Sequence, residues 1–253
     1  MGDDLSIEGL LALAVAGVLA TVINVIAGGG GMIVIPLLMV LGLPVHMANG
    51  TYRLSVITQS LAGAAALRGH ATVPPKALVP IMIPMVVGGG VGAALATSIP
   101  KEVLKPVVLV TMIAMAALIA FRKETLIAGD DPPRAPSAVP WSYAGLFLSG
   151  LYGGFIQAGT GFLILAVLVG TLRYDFVTAN AIKLIATLAF GTVALGIFVW
   201  AGHVAWIPAI VLAVASVVGA RLGVKIMLKV PISGLRWFVF LCVVATCIAA
   251  WLR

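Results

Sequence analysis

The chain is 253 residues long, 62% hydrophobic and only 9% charged, with a mean hydropathy of +1.21. No soluble domain of this length hides that much apolar surface in one core, so the bilayer is the solvent. The formal charge of +7 comes from Lys and Arg scattered at the ends of apolar segments. That pattern excludes a nucleic-acid partner and reads as topology signals and headgroup anchors, with the lipid bilayer as the surrounding partner.

Met1 to Glu8 lacks a positive region and no small-residue cleavage site follows, so the first apolar segment is expected to be retained. That segment covers about 5–27 and runs into Ala27-Gly28-Gly29-Gly30-Gly31-Met32, followed by a short apolar stretch at 32–43. A long segment at 46–67 opens with Ala48-Asn49-Gly50-Thr51-Tyr52-Arg53, and two more follow at 77–97 and 103–121. Residues 122–140 hold Asp130, Asp131, four prolines and mixed charge, and read as a solvated linker.

The pattern then returns. Segments at 141–158 and 162–172 flank Gln157-Ala158-Gly159-Thr160-Gly161-Phe162, and 176–200 opens with Ala179-Asn180-Ala181-Ile182-Lys183. Segments at 204–228 and 235–252 complete the chain. Gly29 pairs with Gly159, Gly31 with Gly161 and Asn49 with Asn180. Further on, Gly69-His70 pairs with Gly202-His203, Gly88-xxx-Gly92 with Gly219-xxx-Gly223, and Pro100 with Pro231. The common order indicates duplication: a first membrane repeat at 1–121, a hydrophilic linker at 122–140 and a second repeat at 141–253. The small-xxx-small pairs are expected at close helix–helix contacts.

Each Gly-broken stretch is too long for one crossing and too short for two full ones, so each is expected to form a re-entrant hairpin or two tilted passes. The positive-inside rule tests this. If each broken pair returns the chain to the face it entered, nine basic residues share one side: Arg68, Lys76, Arg122, Lys123, Arg134, Arg173, Lys225, Lys229 and Arg236. Only Lys101, Lys105 and Arg253 lie opposite, whereas counting each pair as one crossing splits the twelve evenly. Three further crossings per half then give an all-α polytopic fold of two inverted-topology repeats, with both termini on the non-cytoplasmic side.

Duplicated broken helices point to a transporter's binding site. Chain breaks at membrane depth leave amides without helical partners, and such backbone belongs inside protein or beside a water-filled cavity. The candidate substrate-binding residues are therefore Asn24, Gly28, Gly29, Gly30, Gly31, Asn49, Thr51, Arg53, Gln157, Gly159, Thr160, Gly161, Asn180 and Lys183. Arg53 and Lys183 are cations near the start of long apolar segments, while every Asp and Glu lies near a loop or terminus. A cation without a carboxylate, beside free amides, fits a small anionic substrate; snorkelling to headgroups or pairing with carbonyls is the alternative. Asn49 and Asn180 could bond an oxyanion or cap the following helix. Gln59 and Thr187 could line the cavity or join helices, and Arg221 reads as an interface anchor.

Other chemistry finds little support. The glycine run lacks the Gly-Lys-Ser/Thr of a phosphate loop. Cys242 and Cys247 lie in the last apolar segment and read as small hydrophobes. His46, His70 and His203 sit at segment ends, where solvation or pH sensing could explain them. No metal-ligand cluster, nucleophile–base pair or carboxylate pair is present, so no metal, cofactor or catalytic residue is assigned and an enzyme is not expected.

Two Gly-rich breaks, each followed by an apolar run and an Ala-Asn pair, in a chain near 250 residues, resemble the TauE/SafE sulfite exporter family across essentially the whole length. The second copy departs from the glycine-rich run at Gln157 and Thr160, and Ala166 stands opposite Pro36 where a proline is expected. The resemblance implies export of sulfite or organosulfonates such as sulfoacetate across the bacterial inner membrane, by a monomer or homodimer. With no mid-span carboxylate for a proton relay, an electrogenic uniporter is the expected mechanism. A permease for another small anion or ion, and a non-transporting membrane assembly factor, remain the alternatives.

Overall fold

A computed structural model describes residues 6–121, 132–229 and 235–252, with the backbone alone for 235–239. Met1 to Leu5, most of the solvated-linker assignment (122–131), Pro231 and Arg253 lie outside the described residues.

Helices account for nearly all of the described chain, which has no strand. The first half holds α1 (Ile7–Ala27), α2 (Gly31–Val40), α3 (Val45–Ala66), α4 (Pro75–Ser98) and α5 (Lys101–Phe121). The second holds α6 (Trp141–Phe155), α7 (Thr160–Leu165, continued by a π-helical turn over Ala166–Thr171), α8 (Phe176–Trp200), α9 (Trp206–Met227) and α10 (Leu235–Trp251). Five of these, α1, α4, α5, α8 and α9, are long and apolar enough to cross a bilayer. The protein is thus multi-pass. The 22-residue α3 has the length as well, but Arg53, Asn49 and Gln59 dilute its apolar character.

Local chemistry sets the ends. Ser6 caps α1 by accepting from the Gly9 amide at 3.2 Å, and Asp175 caps α8 through the amides of Val177 and Thr178 at 3.1 and 2.9 Å. Pro75 opens α4, where its missing N–H costs nothing. α1 stops because Gly28 turns left-handed (φ 77°) and returns its amide to the Asn24 carbonyl at 2.9 Å.

The outer surface is a belt of exposed Leu, Ile and Val spaced three or four apart, such as Leu11, Val15 and Leu19 on α1 and Ile210, Val214 and Val218 on α9. Trp141, Trp200, Trp206 and Trp251 stand exposed at helix ends, as interfacial anchors do.

Packing runs between the two halves. α1 lies along α9 and α6 along α4, the most extensive seams in the molecule together with α3 against α9. Glycines make them possible: Gly88 and Gly92 face the α6 backbone at Phe147 and Leu151, while Gly219 and Gly223 face Val18, Thr21, Val22 and Val25 of α1. These are the small-xxx-small pairs of the sequence.

Contacts also define the two ends of the bundle. His46 Nε2 meets the Ile99 carbonyl oxygen at 2.9 Å, and its ring centroid is 4.8 Å from that of His203. The start of α3, the end of α4 and the α8–α9 loop therefore share one end. At the other, the end of α3 borders both the start of α8 and the end of α9. Leu41, just past α2, lies beside Gly9 in the first turn of α1, and Val167 lies beside Gly145 near the start of α6.

Candidate functional site

The breaks at 28–30 and 156–159 meet inside the bundle. A Cβ on Gly28 would overlap the Phe162 nitrogen and the Gly161 carbonyl carbon, and one on Gly161 would lie 2.6 Å from the Gly28 Cα. Only glycine allows that backbone-to-backbone approach, and the positive φ of Gly28 excludes a side chain a second time. Gly31 faces Tyr52 and Ala158, Gly159 (φ 81°) faces Met32 and Met115, and Gly30 presses on the Ala20 carbonyl. The first turn of α2 opens at this contact, with the amides that a helix start leaves without partners in the helix.

Arg53 and Lys183 flank the contact, and both are buried, at 0% and 2% exposure. Their partners are neutral oxygens. Arg53 Nη1 donates to the Gly153 carbonyl at 3.3 Å and to Gln157 Oε1 at 3.5 Å; Nη2 donates to the Gly154 carbonyl and to Asn49 Oδ1. Its guanidinium lies 4.2 Å over the Phe198 ring, and its Nε is buried with no hydrogen-bond partner. Lys183 Nζ donates to the carbonyls of Asn24 (3.2 Å) and Val25 (3.1 Å) and to Asn180 Oδ1 (2.6 Å). Each cation thus caps the carbonyl end of the other half's broken helix, α6 for Arg53 and α1 for Lys183, where the helix dipole is negative. This is the carbonyl pairing weighed above, and among the described residues no carboxylate joins either cation.

The remaining candidates fall into three groups. Asn49, Asn180 and Gln157 orient the cations. Asn49 Nδ2 donates to the Phe155 carbonyl at 2.7 Å and Asn180 Nδ2 to the Phe176 carbonyl at 3.0 Å. Both sit one turn inside their helices, which begin at Val45 and Phe176, so neither is an N-cap. Gln157 adopts φ 66°, a left-handed conformation uncommon outside glycine, and that turn accompanies its side chain's reach to Arg53. Asn24 and Thr160 brace the tips: Asn24 Nδ2 donates to Gln59 Oε1 at 3.0 Å, and Thr160 Oγ1 to the Gln157 carbonyl at 2.8 Å. Thr51 belongs to a different contact, accepting from the Ala205 amide at 3.0 Å.

Sequence reasoning missed the carbonyl groups of Gly153, Gly154, Asn24 and Val25, which carry no residue-type signal. It also missed Phe198 and a buried hydroxyl cluster of Thr21, Ser55 and Ser216 between α1, α3 and α9. At the His46 end, burial, then the neighbouring His46, hold His203 below the usual imidazole range, and its Nδ1 is buried without a partner. His70 lies at the opposite end, with Lys225.

Interrupted helices meeting tip to tip around buried cations, in a multi-pass bundle, define the class: a membrane protein with the architecture of a transporter. The sequence model of the family described as Sulfite exporter TauE/SafE matches residues 13–250. The chain belongs to this family of membrane transporters. A probable membrane transporter protein of Haemophilus influenzae is 27% identical over 228 residues, covering 89% of this chain and 88% of the relative. The probable membrane transporter protein ORF9 of a Sinorhizobium species is 30% identical over 226 residues (87% and 84%). The probable membrane transporter protein YfcA of Escherichia coli is 27% identical over 213 residues (83% and 78%).

Proposed function

We propose that the protein exports small sulfur-containing anions, sulfite or organosulfonates such as sulfoacetate, across the bacterial inner membrane, binding them where the two interrupted hairpins meet. One observation carries this reading. Two buried cations, Arg53 and Lys183, flank the hairpin tips with only neutral partners among the described residues, and one Arg53 donor, Nε, is unused. Neutral oxygens satisfy hydrogen bonds but leave two positive charges in a low-dielectric interior, and an entering anion is the counter-ion they lack. Lys183 already spends its three donors, so an anion reaching it displaces carbonyls of α1. Because Gly28 and Gly161 touch, this is the closed arrangement of the tips, and passage requires them to part.

The architecture we propose is two inverted repeats, 1–121 and 141–253, joined by the linker 122–140. Its support is the pairing of elements: α3 starts at the His46 end, whereas its counterpart α8 finishes there. Re-entrance is supported by Leu41 beside Gly9 and Val167 beside Gly145. Arg68, His70, Arg221 and Lys225 gather at the end opposite His46, which we assign to the cytoplasm, with both termini outside it.

An inside-negative potential contributes about 2.3 kcal/mol per 100 mV to each exported negative charge, roughly a fifty-fold gradient, without a coupled ion. Sulfite efflux from proteoliposomes, clamped with valinomycin and potassium, tests the proposal. Flux that follows the imposed potential, and that collapses in Lys183→Met and Arg53→Lys proteins that remain folded, is the expected result. Flux unchanged in both variants removes these residues from the site. Flux of other anions but not sulfite or sulfonates, across the same panel, reassigns the cargo, and no flux at all favours a membrane assembly factor.

A further inference from the structure

A groove of about 590 Å³ runs between the end of α3 and the end of α9. Its walls are small and apolar, chiefly Ala65, Ala66 and Val224, while Arg221, Lys225 and His70 line its polar side. Arg221 and Lys225 are four residues apart on one face of α9 and both are exposed. Like charges at that spacing repel, and among the described residues the groove lining contains no acid to offset them. Asp175, at the same end of the bundle, is committed to the first amides of α8.

The fold builds the same kind of groove a second time, about 440 Å³, between the ends of α4 and α8. At an offset of 131 residues Arg221 corresponds to Gly90 and Lys225 to Ala94, and among the described residues no cation lines this copy. Its hydroxyls are also spent: Thr97 Oγ1 donates to the Ala93 and Ala94 carbonyls and Ser98 Oγ to the Ala94 carbonyl. Helix packing alone therefore makes the groove, and the basic side chains of the α3–α9 copy need another reason.

We infer that the α3–α9 groove binds an anionic phospholipid. The phosphodiester lies against Arg221 and Lys225, where guanidinium offers paired donors and ammonium a point charge. The acyl chains follow the alanine- and valine-lined wall into the bilayer. Basic pockets between membrane helices recognise lipid headgroups in this way, whereas the neutral copy takes any lipid without preference. The site is separate from the hairpin tips and does not depend on which anion the protein carries.

The test is native mass spectrometry of the purified full-length protein, titrated with phosphatidylglycerol or with phosphatidylcholine of the same chains. Wild type is expected to retain phosphatidylglycerol more tightly. Two surface cations together supply about thirty-fold in affinity, so Arg221→Gln/Lys225→Gln should lose most of the preference. Lys225→Gln alone should lose about five-fold, and Arg221→Lys should keep most of it. Thr97→Ala/Ser98→Ala in the neutral groove should change nothing. Equal retention of the two lipids by wild type, or undiminished phosphatidylglycerol binding by the double Gln protein, overturns the inference. So does equal protection by inorganic phosphate alone, which would make the site one for a soluble ion. Both side chains are exposed, so the variants should fold, and the single substitutions read the same site should the double one not.

Discussion

Gly28→Ala is the most demanding test of the tip contact, because two separate penalties fall on one methyl group. At φ 77° an L residue is strained by about 1–2 kcal/mol. The added Cβ also meets the backbone of Gly161 and Phe162, which cannot rotate aside as a side chain would. Overpacking of that kind costs about 1–3 kcal/mol. Two other glycines separate the terms. Gly42, in the α2–α3 turn, has φ 101° and nothing within 4 Å of its Cβ, so Gly42→Ala reads strain alone. Gly161 has no positive φ, yet its Cβ would lie 2.6 Å from the Gly28 Cα, so Gly161→Ala reads overlap alone. The expected losses are about 1–2 kcal/mol for Gly42→Ala, 1–3 for Gly161→Ala and 2–5 for Gly28→Ala. Thermal unfolding of the three purified proteins in one detergent measures them. If Gly28→Ala is no more destabilising than Gly42→Ala, the two hairpin tips are not in contact.

Three further outcomes are expected. Ser216 Oγ meets Ser55 and Thr21 and donates to the Leu212 carbonyl at 2.6 Å, so Ser216→Ala should destabilise by about 1 kcal/mol. Ser55→Ala/Ser216→Ala should cost less than the sum of its parts in a double-mutant cycle, because each single change orphans the other's hydroxyl. His203 has a folded pKa below its unfolded value of about 6.5, so the unfolded chain binds more protons. Stability is then fully present above pH 6.5 and lost as the pH falls below it; unfolding midpoints between pH 8 and 5 should show that slope, and His203→Phe should flatten it. Asn180→Leu removes the 2.6 Å partner of Lys183 and should lower flux several-fold with little loss of fold, read in proteoliposomes beside a thermal scan.

The helices themselves were legible, since ten apolar segments, counted from the hydropathy pattern, fall on the ten α-helices of the described residues with ends shifted by a few residues. The breaks were legible too: glycines interrupting an apolar run signal a chain break, and at both breaks a glycine, Gly28 or Gly159, turns to positive φ. The π-turn after Leu165 was not, because Ala166 to Thr171 reads like any apolar helix. At the hairpin tips, Asn49 and Arg53 are four residues apart, so their shared face could be read in advance. What Arg53 and Lys183 touch could not. Their partners are chiefly backbone oxygens at helix ends, present in every residue, and which ones are reachable is set by the long-range packing that brings side chains of α3 to the end of α6 and of α8 to the end of α1. Thr51 shows the same limit, since its bond to the Ala205 amide spans 154 residues.

The reciprocal capping of α1 and α6 bears on biosynthesis. Lys183 follows Asn24 by 159 residues. At about 5–20 residues per second, the ribosome delivers that ammonium on the order of ten seconds or more after the carbonyls it will cover. During that interval the nascent amino-terminal portion holds an unfinished helix terminus in an apolar setting, which the insertion machinery or trapped water must shelter. A polypeptide severed within the connecting segment and expressed as two pieces should therefore need both at once, each being chaperone to the other.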